Sequence, residues 1–231
     1  MTLKILSWNI LQGGGSRIQS IVNFLLEQNA DIICLSEFHN NTNGYFLRSS
    51  LLKSGWIHQS TGANAAENNT VFVASKIPFE SSYPAKNLDT YQDLMIKANF
   101  SAFSLYNNYF PHKKEHKLFD ILFEELHSNS NAIIVGDLNT GKNYIDQVGD
   151  SFWYQKEFST LEKNNFIDAF RFFHKEKKEY SWYSHQGNGY RYDHTFFYQT
   201  LSAIAKNCYY LHEVREQKIS DHSPMILELG I

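Results

Sequence analysis

The chain repeatedly ends an apolar run on residues that could do chemistry. Trp8-Asn9 ends the first run, Ser36-Glu37 the second and Tyr109-Phe110-Pro111-His112 a third. Gly136-Asp137-Leu138-Asn139 ends a fourth, Arg191-Tyr192-Asp193-His194 lies in a late run, and Ser220-Asp221-His222-Ser223 precedes the last. Together they supply four carboxylates, two amides, a phenol and several imidazoles. If the runs are strands, their ends on one edge of a sheet sandwich converge on a cleft. Hard oxygen ligands in small number, with water positions left open, suit Mg²⁺, which sits about 2.0–2.1 Å from its ligands. A structural zinc site would draw on cysteines that these stretches lack. Each stretch alone reads as readily as a turn, Asp137-Leu138-Asn139 as an Asx-turn for example. Their order and joint placement carry the argument.

The elements that would hold these residues are legible from periodicity. Lys4 to Asn9 reads as a strand, and Gly13-Gly14-Gly15 breaks it before an N-cap at Ser16. Ile18, Ile21, Val22, Leu25 and Leu26 then recur at helical spacing, and Asp31 to Glu37 is an apolar strand with a charged end. A second helix is expected over Tyr45 to Lys53. The runs Val71–Ala74, Met95–Phe100 and Phe103–Tyr109 predict an antiparallel meander. A helix over Lys117 to Leu126 leads into a strand at Ala132 to Val135. Helices near Trp153–Lys163 and Asp168–His174 follow, then strands at Arg191–Tyr198, Asn207–Leu211 and Pro224–Leu229. Many strand connections are too short for parallel crossovers. The expectation is therefore α/β, with two mixed sheets packed face to face and helices outside, over a doubly wound parallel sheet. No repeat or linker divides the 231 residues, so residues 1–231 are expected to form one domain.

Composition narrows the class of partner. Charged residues at 19% and hydrophobic residues at 42% exclude a largely disordered chain. A net charge of −3 argues against a polybasic binder that works by bulk phosphate neutralisation. It leaves room for positive charge that is local or brought by a metal ion. Cys34 and Cys208 lack metal-ligand spacing and read as reduced core thiols. The chain opens on a strand without a leader-like segment and has no run near the roughly 20 apolar residues that span a bilayer. Membrane insertion is not expected, and the cytoplasm is the expected location.

In combination and order, the six stretches resemble the endonuclease/exonuclease/phosphatase superfamily of metal-dependent phosphodiesterases, from residue 3 to residue 229. The carriers are Trp8-Asn9-Ile10, Glu37, Tyr109-Phe110-Pro111, Gly136-Asp137-Leu138-Asn139, Arg191-Tyr192-Asp193-His194 and Ser220-Asp221-His222-Ser223-Pro224. Tyr-Phe-Pro before a helix, and Asp168-Ala169-Phe170-Arg171 followed by Ser181-Trp182-Tyr183 and Gly189-Tyr190-Arg191-Tyr192-Asp193, resemble the exodeoxyribonuclease III and abasic-site endonuclease branch. The resemblance implies a four-layer α/β sandwich. It also implies Mg²⁺, with Mn²⁺ as a substitute, held by Glu37 with Asn9 and completed by Asp221. Asp137 would position or deprotonate water, Asn139 would orient it, and His222 paired to Asp193 would stabilise phosphate charge. Tyr109 would hydrogen-bond the phosphate or leaving group.

The substrate implied is nucleic acid, DNA ahead of RNA, with a phospholipid or phosphoinositide as the same-chemistry alternative. A catalytically silent binding module is the alternative of another class. His112 stands where the nuclease branch carries Asn or Gln, and Ser36 where the family carries Gln. The segment from Trp182 to Arg191 is short for a lesion-reading loop. Lys113 and Lys114 form a basic patch beside His112, and with Arg191, Trp182 and Tyr190 they are the expected substrate contacts.

Overall fold

In a computed structural model of the chain, residues 1–62, 68–84, 91–127 and 129–230 are described. Strand β1 (Thr2–Asn9) runs through a 3₁₀ turn (Gln12–Arg17) into helix α1 (Ile18–Gln28) and strand β2 (Ile32–Phe38). Helix α2 (Thr42–Lys53) and strands β3 (His58–Thr61), β4 (Thr70–Ser75), β5 (Glu80–Ser82), β6 (Met95–Asn99) and β7 (Ser104–Tyr109) follow. Then come α3 (Leu118–Leu126), β8 (Ala132–Asp137), α4 (Gln155–Lys163), β9 (Phe166–Asp168) and α5 (Ala169–His174). The chain finishes with β10 (Trp182–Tyr183), β11 (Gly189–Tyr190), β12 (Asp193–Tyr198), β13 (Ala205–Tyr210), α6 (Glu213–Glu216) and β14 (Met225–Gly230).

Two six-stranded sheets result, ordered β13-β14-β1-β2-β4-β3 and β5-β6-β7-β8-β12-β9, with β10-β11 as a separate hairpin. Every pairing within the two sheets is antiparallel except β1/β2 and β7/β8, each joined through a helix. The sheets lie face to face because their strands are apolar on both faces. In β2, Ile32 and Cys34 face the other sheet while Ile33 and Leu35 meet Val22 and Leu25 of α1. In β8, Ile133 and Val135 face inward and Ile134 faces Leu122 of α3 and Phe158 of α4. Helix, sheet, sheet, helix is thus the layer order, the four-layer α/β sandwich that was expected. Both cysteines are buried and unbonded. Among the described residues no helix is long and apolar enough to cross a membrane.

Some expectations need correcting. The predicted meander is split, since β4 pairs with β2 and β3 while β6 and β7 belong to the other sheet. The glycine run does not merely break β1. Gly13, Gly14 and Gly15 all take positive φ inside the 3₁₀ turn, and Arg17 rather than Ser16 precedes α1. Helix α2 begins earlier than Tyr45 because Asn41 caps it, accepting from Asn43 N and Gly44 N.

A polar bridge crosses the apolar sandwich. Asn107 of β7, fully buried, donates through Nδ2 to the carbonyls of Leu35 (3.1 Å) and Phe72 (3.0 Å) on the opposite sheet. Ser36 Oγ donates to Asn108 O at 3.1 Å a residue further along. Such cross-sheet bonds fix the slide of one sheet over the other, and so the relative position of the strand ends.

Candidate active site

The carboxyl ends of the two parallel pairs point to one cleft, as open α/β sheets dispose their ligand sites. Asn9 pairs in register with Ser36, and Tyr109 with Asp137. At Glu37 the pairing of β2 with β4 shifts, and Glu37 itself adopts φ 53°. A left-handed conformation costs a non-glycine residue about 1–2 kcal/mol. The return is a carboxylate that accepts from Gln12 N at 2.8 Å and Asn9 Nδ2 at 3.0 Å. Gly136, at φ 127°, precedes Asp137, and any Cβ there would strike Asn108 O.

Asn9 joins the two sheets chemically. Its Nδ2 also donates to Asp137 Oδ2 at 2.9 Å, while its Oδ1 accepts from Leu11 N at 2.9 Å. The face it turns to the carboxylates is therefore a donor, which holds Glu37 and Asp137 together. Asn9 Oδ1, already accepting from Leu11 N, keeps one lone pair open to a metal ion. Asp137 Oδ1 accepts from Asn139 N at 3.0 Å, and Asn139 Nδ2 donates to Phe110 O at 2.8 Å. Asp193 lies directly opposite Asp137 across the β12/β8 pairing. Its Oδ2 holds His222 Nδ1 at 2.7 Å, leaving His222 Nε2 at 4.0 Å from Asp137 Oδ2. The loop that carries His222 is tied down by Trp8 Nε1, which donates to His222 O, and by Ser220 Oγ, which donates to Asn9 O.

Burial and charge divide the labour among these groups. Burial raises the Asp137 carboxyl to about 8, with the Asp193 charge adding to it and the His222 charge, Asn9 and Asn139 N–H opposing. Burial works against the His222 cation, but the attraction and hydrogen bond of Asp193 override it and raise His222 to about 10. Burial, then the charges of Glu37 and Asp137, push the Tyr109 phenol well above its usual range, so it stays an O–H donor. Asp137, Asp193 and His222 lie close enough to grip a cation among themselves. The pairing with Asp193 argues otherwise, because a protonated imidazole has no lone pair to offer. Oxygen donors elsewhere in the cleft fit better: Glu37, and Asp221, whose Oδ2 accepts from Trp182 Nε1 at 2.9 Å and whose Oδ1 is buried without a partner.

Arg191 is corrected. It has 0% exposure and forks onto Asp146 through Nε (2.8 Å) and Nη2 (2.9 Å), and onto Asp168 through Nη1 (3.2 Å) and Nη2. Arg171 joins the same network through Asp146. Sealed at 0% exposure, the Arg191 guanidinium faces these carboxylates and not the cleft. Trp182 touches the site through Asp221 and stands 6.4 Å from the His222 ring. Tyr190 is buried, stacked on Tyr192 at 5.2 Å, with its oxygen accepting from Asp150 N.

Beyond Asn139 opens an aromatic cleft of about 270 Å³, lined by His112, Lys114, Phe152, Trp153, Tyr190 and Tyr192. Trp153 is 48% exposed, stacked on His112 at 4.8 Å, with Lys114 Nζ 5.7 Å from its ring centroid. Partial burial of the imidazole lowers the His112 pKa and so favours its neutral form. Lys113 is exposed on the same loop. Sequence reasoning placed Trp153 in a helix and missed this wall. The run of three aromatics, Phe152-Trp153-Tyr154, was the signal.

An oxygen-lined cleft thus lies at the ends of two facing mixed sheets, with a buried Asp–His pair on one wall. The chain belongs to the Endonuclease/Exonuclease/phosphatase family, whose model matches residues 6–222. It is 21% identical over 214 residues to a DNA-(apurinic or apyrimidinic site) endonuclease of Dictyostelium discoideum, a match covering 81% of this chain and 58% of that protein's length. Its fold is that of an AP endonuclease from Archaeoglobus fulgidus (TM-score 0.86, 21% identity, 99% of this chain and 100% of that one). It is equally that of a 3'-5' exonuclease from Neisseria meningitidis (TM-score 0.83, 22% identity, 99% and 100%). A Neisseria 3' phosphatase bound to a product DNA hairpin matches with TM-score 0.84 at 22% identity, over 99% of this chain and 100% of that one.

Proposed function

We propose that the chain is one catalytic unit that hydrolyses phosphodiester bonds in nucleic acid, DNA first, as an exonuclease III-like or abasic-site endonuclease-like enzyme of the cytoplasm. The observation that carries this reading is the Asn9 bridge, which sets Glu37 of one sheet beside Asp137 of the other and opposite the Asp193–His222 pair. Asp137 takes a proton from the attacking water, its burial having made it a stronger base than an ordinary carboxylate. Asn139 orients that water and the phosphate. His222, kept cationic by Asp193, stabilises charge on the phosphate, and Tyr109 donates to the phosphate or leaving oxygen. Glu37 and Asp221 are the donors that would hold Mg²⁺, or Mn²⁺ in its place, which supplies positive charge to a non-bridging phosphate oxygen. The aromatic cleft beside Asn139, with Lys113 and Lys114 at its rim, suits a nucleotide, because stacking on exposed rings accepts any base.

The deciding assay offers Mg²⁺ and plasmid, single-stranded, abasic-site and RNA substrates to the purified protein. Turnover of a phosphoinositide with no cleavage of any nucleic acid would sink the proposal. Glu37→Gln is expected to raise the Mg²⁺ concentration for half-maximal rate by at least about 10–100-fold, the loss typical even of outer-shell metal contacts. A wild-type Mg²⁺ titration would remove Glu37 from the metal site. The pH profile should have its optimum on the alkaline side. Rate rises as Asp137 loses its proton, with a midpoint at or below about 8 once a cation sits nearby, and falls near 10 as His222 loses its own. Rates measured from pH 5 to 11 check both limbs, and the alkaline limb should vanish in His222→Gln.

A further inference from the structure

We propose that the groove between the β10–β11 hairpin and α6 is a second nucleotide subsite, on the Asp221 side of the active site and separate from the aromatic cleft beside Asn139. The inference rests on the nucleic-acid reading above and extends it to the strand that flanks the scissile phosphate. The groove encloses about 530 Å³ and is lined by Leu11, Tyr183, Arg215, Glu216, Lys218, Ser220 and Asp221. That volume lies within the roughly 300–1,000 Å³ of small-ligand sites. It shares no residue with the aromatic cleft, yet it opens on Asp221 and Ser220, which belong to the catalytic loop.

Three features define its occupant. Arg215 lies over the Tyr183 ring, its Cζ 4.3 Å from the centroid. Its Nε is buried without an acceptor, and the guanidinium makes no hydrogen bond or ion pair among the described residues. The accessible Nη groups of a half-exposed guanidinium that has no protein acceptor can take an oxyanion from the groove. Lys218, exposed and lining the same groove, adds a second cation. Leu11 and Tyr183, the latter 43% exposed, give apolar walls. A phosphate for the two cations and a sugar or base for the walls describe a nucleotide. Glu216 lies on the same groove and would repel a second phosphate, which limits the site to one.

The experiment measures DNA affinity and its salt dependence for the Mg²⁺-loaded full chain carrying Arg215→Ala, Lys218→Ala or Tyr183→Ala. Arg215→Ala should weaken binding by about tenfold and lower the slope of log affinity against log salt by about one. Its melting temperature should stay at the wild-type value, and Lys53→Ala, on the surface of α2, should leave affinity and slope unchanged. Oligonucleotides trimmed on the side that enters the groove should bind wild type and Arg215→Ala alike. Wild-type affinity and slope in both Arg215→Ala and Lys218→Ala overturn the subsite while leaving the nuclease reading intact. No binding or cleavage of nucleic acid by the wild-type protein overturns both.

Discussion

Asp137→Asn is expected to lower kcat by about 10²–10⁴-fold, the usual contribution of a positioned proton acceptor, with KM changed only a few-fold. The substitution keeps shape and removes basicity. Its stability effect runs the opposite way. Asp137 is 1% exposed and its carboxyl is raised to about 8, so the folded chain disfavours the charge. A raised folded pKa means that the stability contributed by the protonated group is complete below the unfolded value near 4. That contribution is lost as pH rises through about 8. Asparagine does not titrate, so the melting temperature of Asp137→Asn relative to wild type should climb between pH 4 and pH 9 in the presence of a chelator. Against this stands one mismatched hydrogen bond, because Asn9 Nδ2 and Asn139 N both donate to the carboxylate and a carboxamide can answer only one of them. That costs about 1 kcal/mol and does not vary with pH. Single-turnover hydrolysis at unchanged rate would remove Asp137 from proton transfer. A pH-independent melting difference would contradict its burial as an ionisable group.

Arg191→Leu is expected to destabilise the fold by about 3–5 kcal/mol, the cost of stranding buried charges by removing their partner. Two buried carboxylates, Asp146 and Asp168, share this guanidinium, and only Asp146 has a second cation beside it, Arg171. Burial alone would raise the Asp146 carboxyl, but Arg191 beside it holds it well below the usual carboxylate range. For a depressed carboxyl the stabilisation is present above the unfolded pKa near 4 and disappears as pH falls through the folded value. The gap in melting temperature between wild type and Arg191→Leu should therefore be widest near pH 7, about 10–15 °C for a chain of this size, and should narrow towards pH 3. Restoring neutrality with Asp146→Asn and Asp168→Asn in the same chain should recover part of the loss. Catalysis at low temperature should survive in the folded fraction. An Arg191 that touched substrate would instead raise KM and leave melting unchanged.

That contrast shows where sequence reasoning ran out. The strands β1, β2 and β8 were legible because a strand covered on both faces is an unbroken apolar run, and Asn9, Glu37 and Asp137 stand at the ends of those runs. Edge strands were not. β5 is exposed along its whole length and β3 is polar, so neither carries a burial pattern. Arg191 was misread because its partner Asp146 lies in a loop, where no period ties a residue to a direction. Asn9 was placed correctly, but which end of its amide faces the carboxylates depends on a single bond from Leu11 N. Trp153 and Arg215 come from segments whose exposure only the packed chain decides.

The sheet order has a consequence in time. β1, which supplies Asn9, is flanked by β2 on one side and on the other by β14, the final strand, which β13 in turn covers. The middle of the chain builds the other sheet, with Asp137 and Asp193 on neighbouring strands. During synthesis β1, complete at Asn9, must wait for β14, which starts at Met225, before this part of its sheet closes, and the loop bearing Asp221 and His222 arrives with it. Pairings so distant in sequence close slowly. A nascent chain therefore carries Asn9, Glu37 and Asp137 long before it has His222, and the cleft between the sheets is incomplete until residues 225–230 have docked.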